Sequence, residues 1–410
     1  MKRLFLPSLV LAVLFLSLGC VGNTPDATLL KGLEAYRDGD WWGAIHYFKM
    51  YVEKWPDHNM HNEALFYLGD CNFNADQLQP AEDYFRRFLS AAPSHQLSHR
   101  ARLSLAMILD RNSRSLEKEG KSEEAAAAWR ESEELLKDVS SLNDPIFGVL
   151  ADQATVYLAN ASFVHGATAE AILLYERRLA KAERGLARAE LDAATPSRLA
   201  AAIADPTDAR MWLDSLQQLA TIHSVEKDWD KARRYHEEII AATFLAPDMR
   251  VNEYRAVAAT YRAEDRLADA IAVYQRMRDE LVAEDVDMAT VLTILSSRFV
   301  ADAYIAAGSP LEASAVLDPV YDLCRGIYRN PGDDRELAVY AGINLAEIAL
   351  IRGATDEAEN TLTQVLLDHP STRSTQLAEY KLRVLRAIQA GQATAEAAAD
   401  PAALIQPASP

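Results

Sequence analysis

The stretch Gly32 to Pro56, GLEAYRDGDWWGAIHYFKMYVEKWP, returns as Gly69 to Pro93, GDCNFNADQLQPAEDYFRRFLSAAP. Gly32, Ala44, Phe48 and Pro56 each recur 37 positions on, as Gly69, Ala81, Phe85 and Pro93. Two small residues twelve apart let a pair of antiparallel helices cross closely. The aromatic four places later fills the groove they leave. The proline cannot continue a helix and turns the chain into the next unit. Landmarks with a period in the thirties read as a helix–turn–helix unit, and such units stack into a helical solenoid.

The twelve-residue gap continues downstream as Ala159 and Ala171 with Tyr175, and as Ala220 and Ala232 with His236. Ala258 and Ala270 with Tyr274, Ala301 and Ala313 with Leu317, and Ala346 and Ala358 with Leu362 complete it before Pro370. One further unit, near Ala106, Ala125 and Trp129, has a gap of 19 and predicts a longer hairpin. Between Ala171 and Ala232 the rhythm stretches to 61 residues. That excess predicts an irregular insertion near 179–208, either an extended second helix with a protruding loop or a boundary between two superhelical blocks. No stretch alternates as a strand does. Leu377, Tyr380, Leu382, Leu385 and Ile388 fall at helical spacing and predict a capping helix, and the Ala/Pro-rich residues 391–410 a disordered tail.

The chain starts with Met1-Lys2-Arg3, an apolar run from Leu4 to Leu18, and then Gly19-Cys20. A basic start before such a run reads as an export signal. The terminal cysteine resembles the lipobox of bacterial lipoproteins, which implies a signal peptide over 1–19, acylation of Cys20 and a lipid tether over 20–26. The alternative is an uncleaved anchor, since the uncharged stretch is about long enough to span a bilayer. Val21 after the cysteine, rather than an aspartate, implies outer-membrane sorting with the protein on the periplasmic face. Net charge is −18, which disfavours nucleic acid as a partner. Cys71 and Cys324 remain, 253 residues apart, too far along a solenoid to pair, and read as buried small hydrophobes.

Neither a phosphate loop, a nucleophile elbow nor a zinc motif is written in the chain, so the expectation is a protein without enzymatic activity or a cofactor. His58, His61, His95 and His99 follow the repeated prolines, and His58 and His95 are 37 apart. They form a weak candidate for a metal; a copied surface turn is the simpler reading.

The landmarks resemble the tetratricopeptide repeat, which implies an all-α, right-handed solenoid of about eight helix–turn–helix repeats over residues 27–390. In that family the first helix of each pair lines a concave groove that grips partners. The register then implies Tyr36, Phe66, Tyr67, Asp70, Phe73, Gln217, Arg255, Arg262, Arg298, Asp302 and Asn344 as groove residues. Arg255 and Arg298 share one register position and are the preferred contacts; the alternative for the aromatics is packing between helices. Leu29 to Pro93 is also similar to outer-membrane assembly lipoproteins of the BamD type and to the Tol–Pal-associated periplasmic coordinator, through Gly43-Ala44-Ile45, Trp55-Pro56 and Glu63 to Asp70. This resemblance implies a lipid-anchored scaffold that gathers cell-envelope proteins or peptide segments. The alternative is a ligand- or glycan-binding lipoprotein of an outer-membrane uptake system.

Overall fold

The computed structural model describes residues 24–192, 206–242, 245–284, 288–332 and 334–389. The predicted signal peptide, Cys20 and the tail 391–410 lie outside the described residues. Seventeen α-helices and no strand occur among the described residues. They pair as α1 (Pro25–Arg37) with α2 (Trp41–Lys54), α3 (His61–Asn74) with α4 (Leu78–Ala91), α5 (Ser98–Lys118) with α6 (Ser122–Ser140), and α7 (Gly148–Val164) with α8 (Thr168–Asp192). The series continues as α9 (Pro206–Val225) with α10 (Trp229–Ile240), α11 (Pro247–Ala263) with α12 (Leu267–Glu284), α13 (Ala289–Ala306) with α14 (Pro310–Arg329), and α15 (Arg335–Ile351) with α16 (Thr355–Asp368). A single helix, α17 (Thr375–Gln389), packs on the last pair. The all-α helical-hairpin architecture predicted from the repeat is the one observed.

Every hairpin turns in the same way. One residue in each turn has positive φ: Gly39, Asp76, Gly120, Gly166, Lys227, Asp265, Gly308 and Gly353. The first helix of each pair ends two residues before it and the second begins two residues after it. The next amide then bonds back to a carbonyl five residues earlier, as in Asp40 N to Ala35 O at 2.9 Å, Gln77 N to Asn72 O at 2.8 Å and Ala354 N to Ala349 O at 2.8 Å. This is a Schellman closure, which satisfies helix-end carbonyls through a left-handed residue. Glycine reaches that region without strain; Asp76, Lys227 and Asp265 hold it with side chains.

Counted from the left-handed residue, the small landmark lies seven places before and the buried alanine five places after. The seven-before position holds Gly32, Gly69, Ser113, Ala159, Ala220, Ala258, Ala301 and Ala346. The five-after position is alanine in all eight hairpins, from Ala44 to Ala358. This corrects the third unit: its small residue is Ser113 rather than Ala106, the gap to Ala125 is twelve and the turn is regular, while the predicted longer hairpin is present as helices of 21 and 19 residues. The serine fits because its hydroxyl donates to Ala125 O at 2.8 Å, removing the cost of burying it. Glycine appears only where the partner is phenylalanine. A Cβ on Gly32 would lie 2.7 Å from Phe48 Cε1, and one on Gly69 2.7 Å from Phe85 Cδ1.

The chain separates into two compact units, the first ending at Ala180 and the second beginning at Lys181, within α8. At 25 residues α8 is the longest helix described. It extends through the first part of the predicted insertion, whose residues 193–205 lie outside the described set. The first unit is held by Phe48, Tyr51, Phe66, Phe85, Phe88 and Ile108, and farther along by Leu136, Val139 and Leu158. The second is held by Tyr254, Met277 and Phe299, then Leu317 and Cys324, then Ile343, Leu362 and Leu382. Helix α13 is long and apolar enough by composition to cross a membrane; here Leu292, Ile294, Leu295 and Phe299 are buried among its neighbours. Cys71 and Cys324 are free and buried, and burial pushes both thiols up to about 12.

Candidate functional site

All eleven groove candidates lie on first helices, at ten, nine, six or three places before the left-handed residue. Those positions follow i, i+1, i+4 and i+7, one face of a helix. What that face does differs from hairpin to hairpin.

In the first unit the aromatics serve the core. Phe66 is fully buried, Tyr67 stacks on Phe48 with centroids 5.3 Å apart, and Phe73 packs partly buried against the same cluster. Phe66 is therefore a packing residue, not an open contact. Tyr36 and Asp70 do meet: the Tyr36 hydroxyl donates to Asp70 Oδ2 at 2.5 Å. Arg100 donates to the same oxygen at 3.0 Å and to the Tyr36 oxygen at 3.1 Å. Asp70 is only 4 % exposed, while the Arg100 side chain stays half exposed above the Phe66 ring. Burial first, then the Asp70 carboxylate, pushes the Tyr36 hydroxyl up to about 12.

One hairpin further, Asp110 and Arg114 fill the ten- and six-before positions, and the sequence reading missed both. It had anchored that unit on Ala106; counting from Ser113 and Gly120 finds them. Asp110, 2 % exposed, accepts from Arg114 at 2.7 Å and from Tyr157 at 2.8 Å, and His165 Nε2 lies 2.9 Å away. Burial, with the Asp110 charge behind it, raises the Tyr157 hydroxyl well above its usual range.

In the second unit Gln217 donates to Glu253 at 2.8 Å, and Glu253 also sits 2.6 Å from His236 Nδ1. Arg255 lies half-buried with its guanidinium 4.9 Å over the Phe299 ring, and Arg262 is exposed. Arg298 departs from expectation: it is 2 % exposed, donates to Asn344 Oδ1 at 2.9 Å and pairs with Glu347. Glu347 also takes Lys381 from α17. Of the two preferred arginines, Arg255 reaches the surface and Arg298 is locked inside. Burial raises the Asp302 carboxyl above its ordinary range, opposed first by Arg298 and also by Arg262 and Arg255. Beside them, Ala259, Arg262, Ala263, Ala303, Ala306 and Ala307 border a cleft of about 450 Å³ between α11 and α13.

Three of the four candidate metal histidines take separate partners. His58 contacts the Tyr51 hydroxyl, His95 Nε2 lies 3.3 Å from Glu63, and His99 meets Phe147 edge-on at 4.9 Å. His61 stands at the start of α3. Among the described residues no three histidine, cysteine or acidic groups gather where they could hold an ion.

Residues 63–95, which span most of α3 and all of α4, match the tetratricopeptide repeat model. The second hairpin is thus similar to a tetratricopeptide repeat. No curated protein matches the sequence. Solved structures similar to the chain include a tetratricopeptide repeat protein from Parabacteroides merdae, at 12% identity over 88% of this chain and 98% of that one, TM-score 0.29. The apo form of the quorum sensor NprR from B. thuringiensis matches at 11% identity over 87% and 91%, TM-score 0.38. The C-terminal part of a TPR repeat-containing protein from Cytophaga hutchinsonii matches at 15% identity over 76% and 98%, TM-score 0.33.

Proposed function

We propose that the chain is a lipid-anchored periplasmic scaffold, held in the outer membrane through Cys20, that gathers envelope proteins by gripping peptide segments along the first helices of its hairpins. One observation carries the reading. In both units this register presents solvent-facing guanidinium groups, Arg114 in the first and Arg255 and Arg262 in the second, and Arg100 adds another by bonding to Asp70 of the register, on an otherwise packed and acidic chain. Tetratricopeptide-type hairpins stack into extended surfaces suited to partners larger than a metabolite.

The test is a crosslinking capture from native membranes with Cys20 intact, alongside a Cys20→Ala variant. The expected result is recovery of envelope proteins by the intact chain and release of the variant from the membrane fraction at unchanged melting temperature. A variant that stays membrane-bound removes the lipid anchor from the reading. A capture that returns oligosaccharide and no protein removes the scaffold.

A further inference from the structure

Helix α5 carries Arg111, Arg114 and Lys118 at i, i+3 and i+7, on one face. With Trp129 of α6 and Val164 and His165 at the end of α7, they border an open cleft of about 850 Å³ in the first unit. Its back wall is fixed. The Trp129 and His165 rings stack at 4.2 Å with their planes 17° apart, and buried Asp110 ties His165, Tyr157 and Arg114 together. The rim stays available: the Arg111 and Arg114 side chains are 42% and 45% exposed, and Val164 is 62% exposed.

Charge selects the occupant. The chain has 60 acidic against 42 basic residues, yet this cleft is bordered by Lys118, exposed, and by Arg111 and Arg114, which are paired with Asp76 and Asp110 but keep donors in solvent, against one lining carboxylate, Glu117. A cationic rim beside an apolar aromatic wall complements a segment that carries both carboxylates and a bulky apolar side chain. The volume falls within the roughly 300–1,000 Å³ of built ligand sites. We propose that this cleft binds an acidic peptide segment of the partner, with its carboxylates on the α5 cations and an apolar side chain against Trp129 and Val164. The assignment rests on the scaffold reading, since it names the kind of segment the scaffold grips.

Fluorescence anisotropy on the full chain tests it, with a labelled decapeptide alternating Glu and Leu and a counterpart with Lys in place of every Glu. The acidic peptide is expected to bind at least tenfold more tightly, to weaken as salt rises, and to lose about fivefold in Lys118→Glu at unchanged melting temperature. Equal binding of the two peptides, or an unaltered affinity in Lys118→Glu, overturns the assignment. So does a short single-stranded oligonucleotide that binds as tightly as the acidic peptide. Membrane capture with Lys118→Glu separates the two readings. Partners retained in full by the variant sink the cleft and leave the scaffold standing, whereas an intact chain that captures no protein sinks the scaffold.

Discussion

The two units place charge at the same helical positions and bury it differently. In the first, Asp70 and Asp110 are buried anions whose cations, Arg100 and Arg114, keep 49% and 45% of their side chains in solvent. In the second, Arg298, Glu347 and Lys381 are all 3% exposed or less, with Lys381 supplied by the capping helix. An open pair fixes a cation while leaving most of its donors for a ligand. A closed network has nothing left to offer outside and sets how α17 docks. The difference separates charge left open to solvent from charge that holds the array, although the register is shared.

The largest effect that tests this contrast is Glu347→Leu, which leaves Arg298 and Lys381 buried without their shared carboxylate. A loss of about 3–5 kcal/mol in urea denaturation is expected. Replacing all three, as Arg298→Met, Glu347→Leu and Lys381→Met together, should restore most of it. A single-variant loss below about 1 kcal/mol would mean the network is as wet as its counterpart. Asp110→Ala in the first unit should cost less, about 2–3 kcal/mol, because Arg114 can turn to water. Parity between the two variants in the same assay would erase the distinction.

The smallest effect is a pH dependence. The Tyr36 hydroxyl sits at about 12 in the fold against 10.0 ordinarily, so between those values the folded state holds more protons than the unfolded. Its contribution is complete below pH 10 and is lost as pH rises through about 12. Tyr36 is only half-buried, so the loss is under about 1 kcal/mol. Melting temperatures at pH 9, 10 and 11 should fall slightly less steeply in Tyr36→Phe. Part of the slope persists in that variant, because burial also lifts Tyr340 of the second unit to about 12. An identical slope in the two proteins would remove Tyr36 from the alkaline response.

Packing landmarks were legible because the repeat copies what packing demands. Gly32 and Phe48, or Ala346 and Ala358, obey one steric rule wherever they occur. Ser113 escaped because a buried hydroxyl is acceptable only with an acceptor at hand, and Ala125 O is a tertiary fact. At Asp76, Lys227 and Asp265 the side chain does not announce the left-handed backbone that glycine supplies in the other five turns. The candidate groove was half legible. Register placed Arg255 and Arg298 alike, but whether each reaches water depends on Phe299 beneath the one and on Asn344, Glu347 and the capping helix around the other. Arg100 lay beyond reach, since its tie to Tyr36 and Asp70 spans three hairpins.

The eight turns also sort the chain's variation in length. Near each left-handed residue the helix ends never move, yet at the far ends α4 stops 15 residues past Asp76 while α8 runs 26 past Gly166. The turn ends of the hairpins are therefore invariant and the far ends a fringe of uneven tips. A residue inserted at a tip shifts no landmark, whereas one inserted beside a turn displaces an alanine from its socket. The fringe is where this chain can be recut without being refolded.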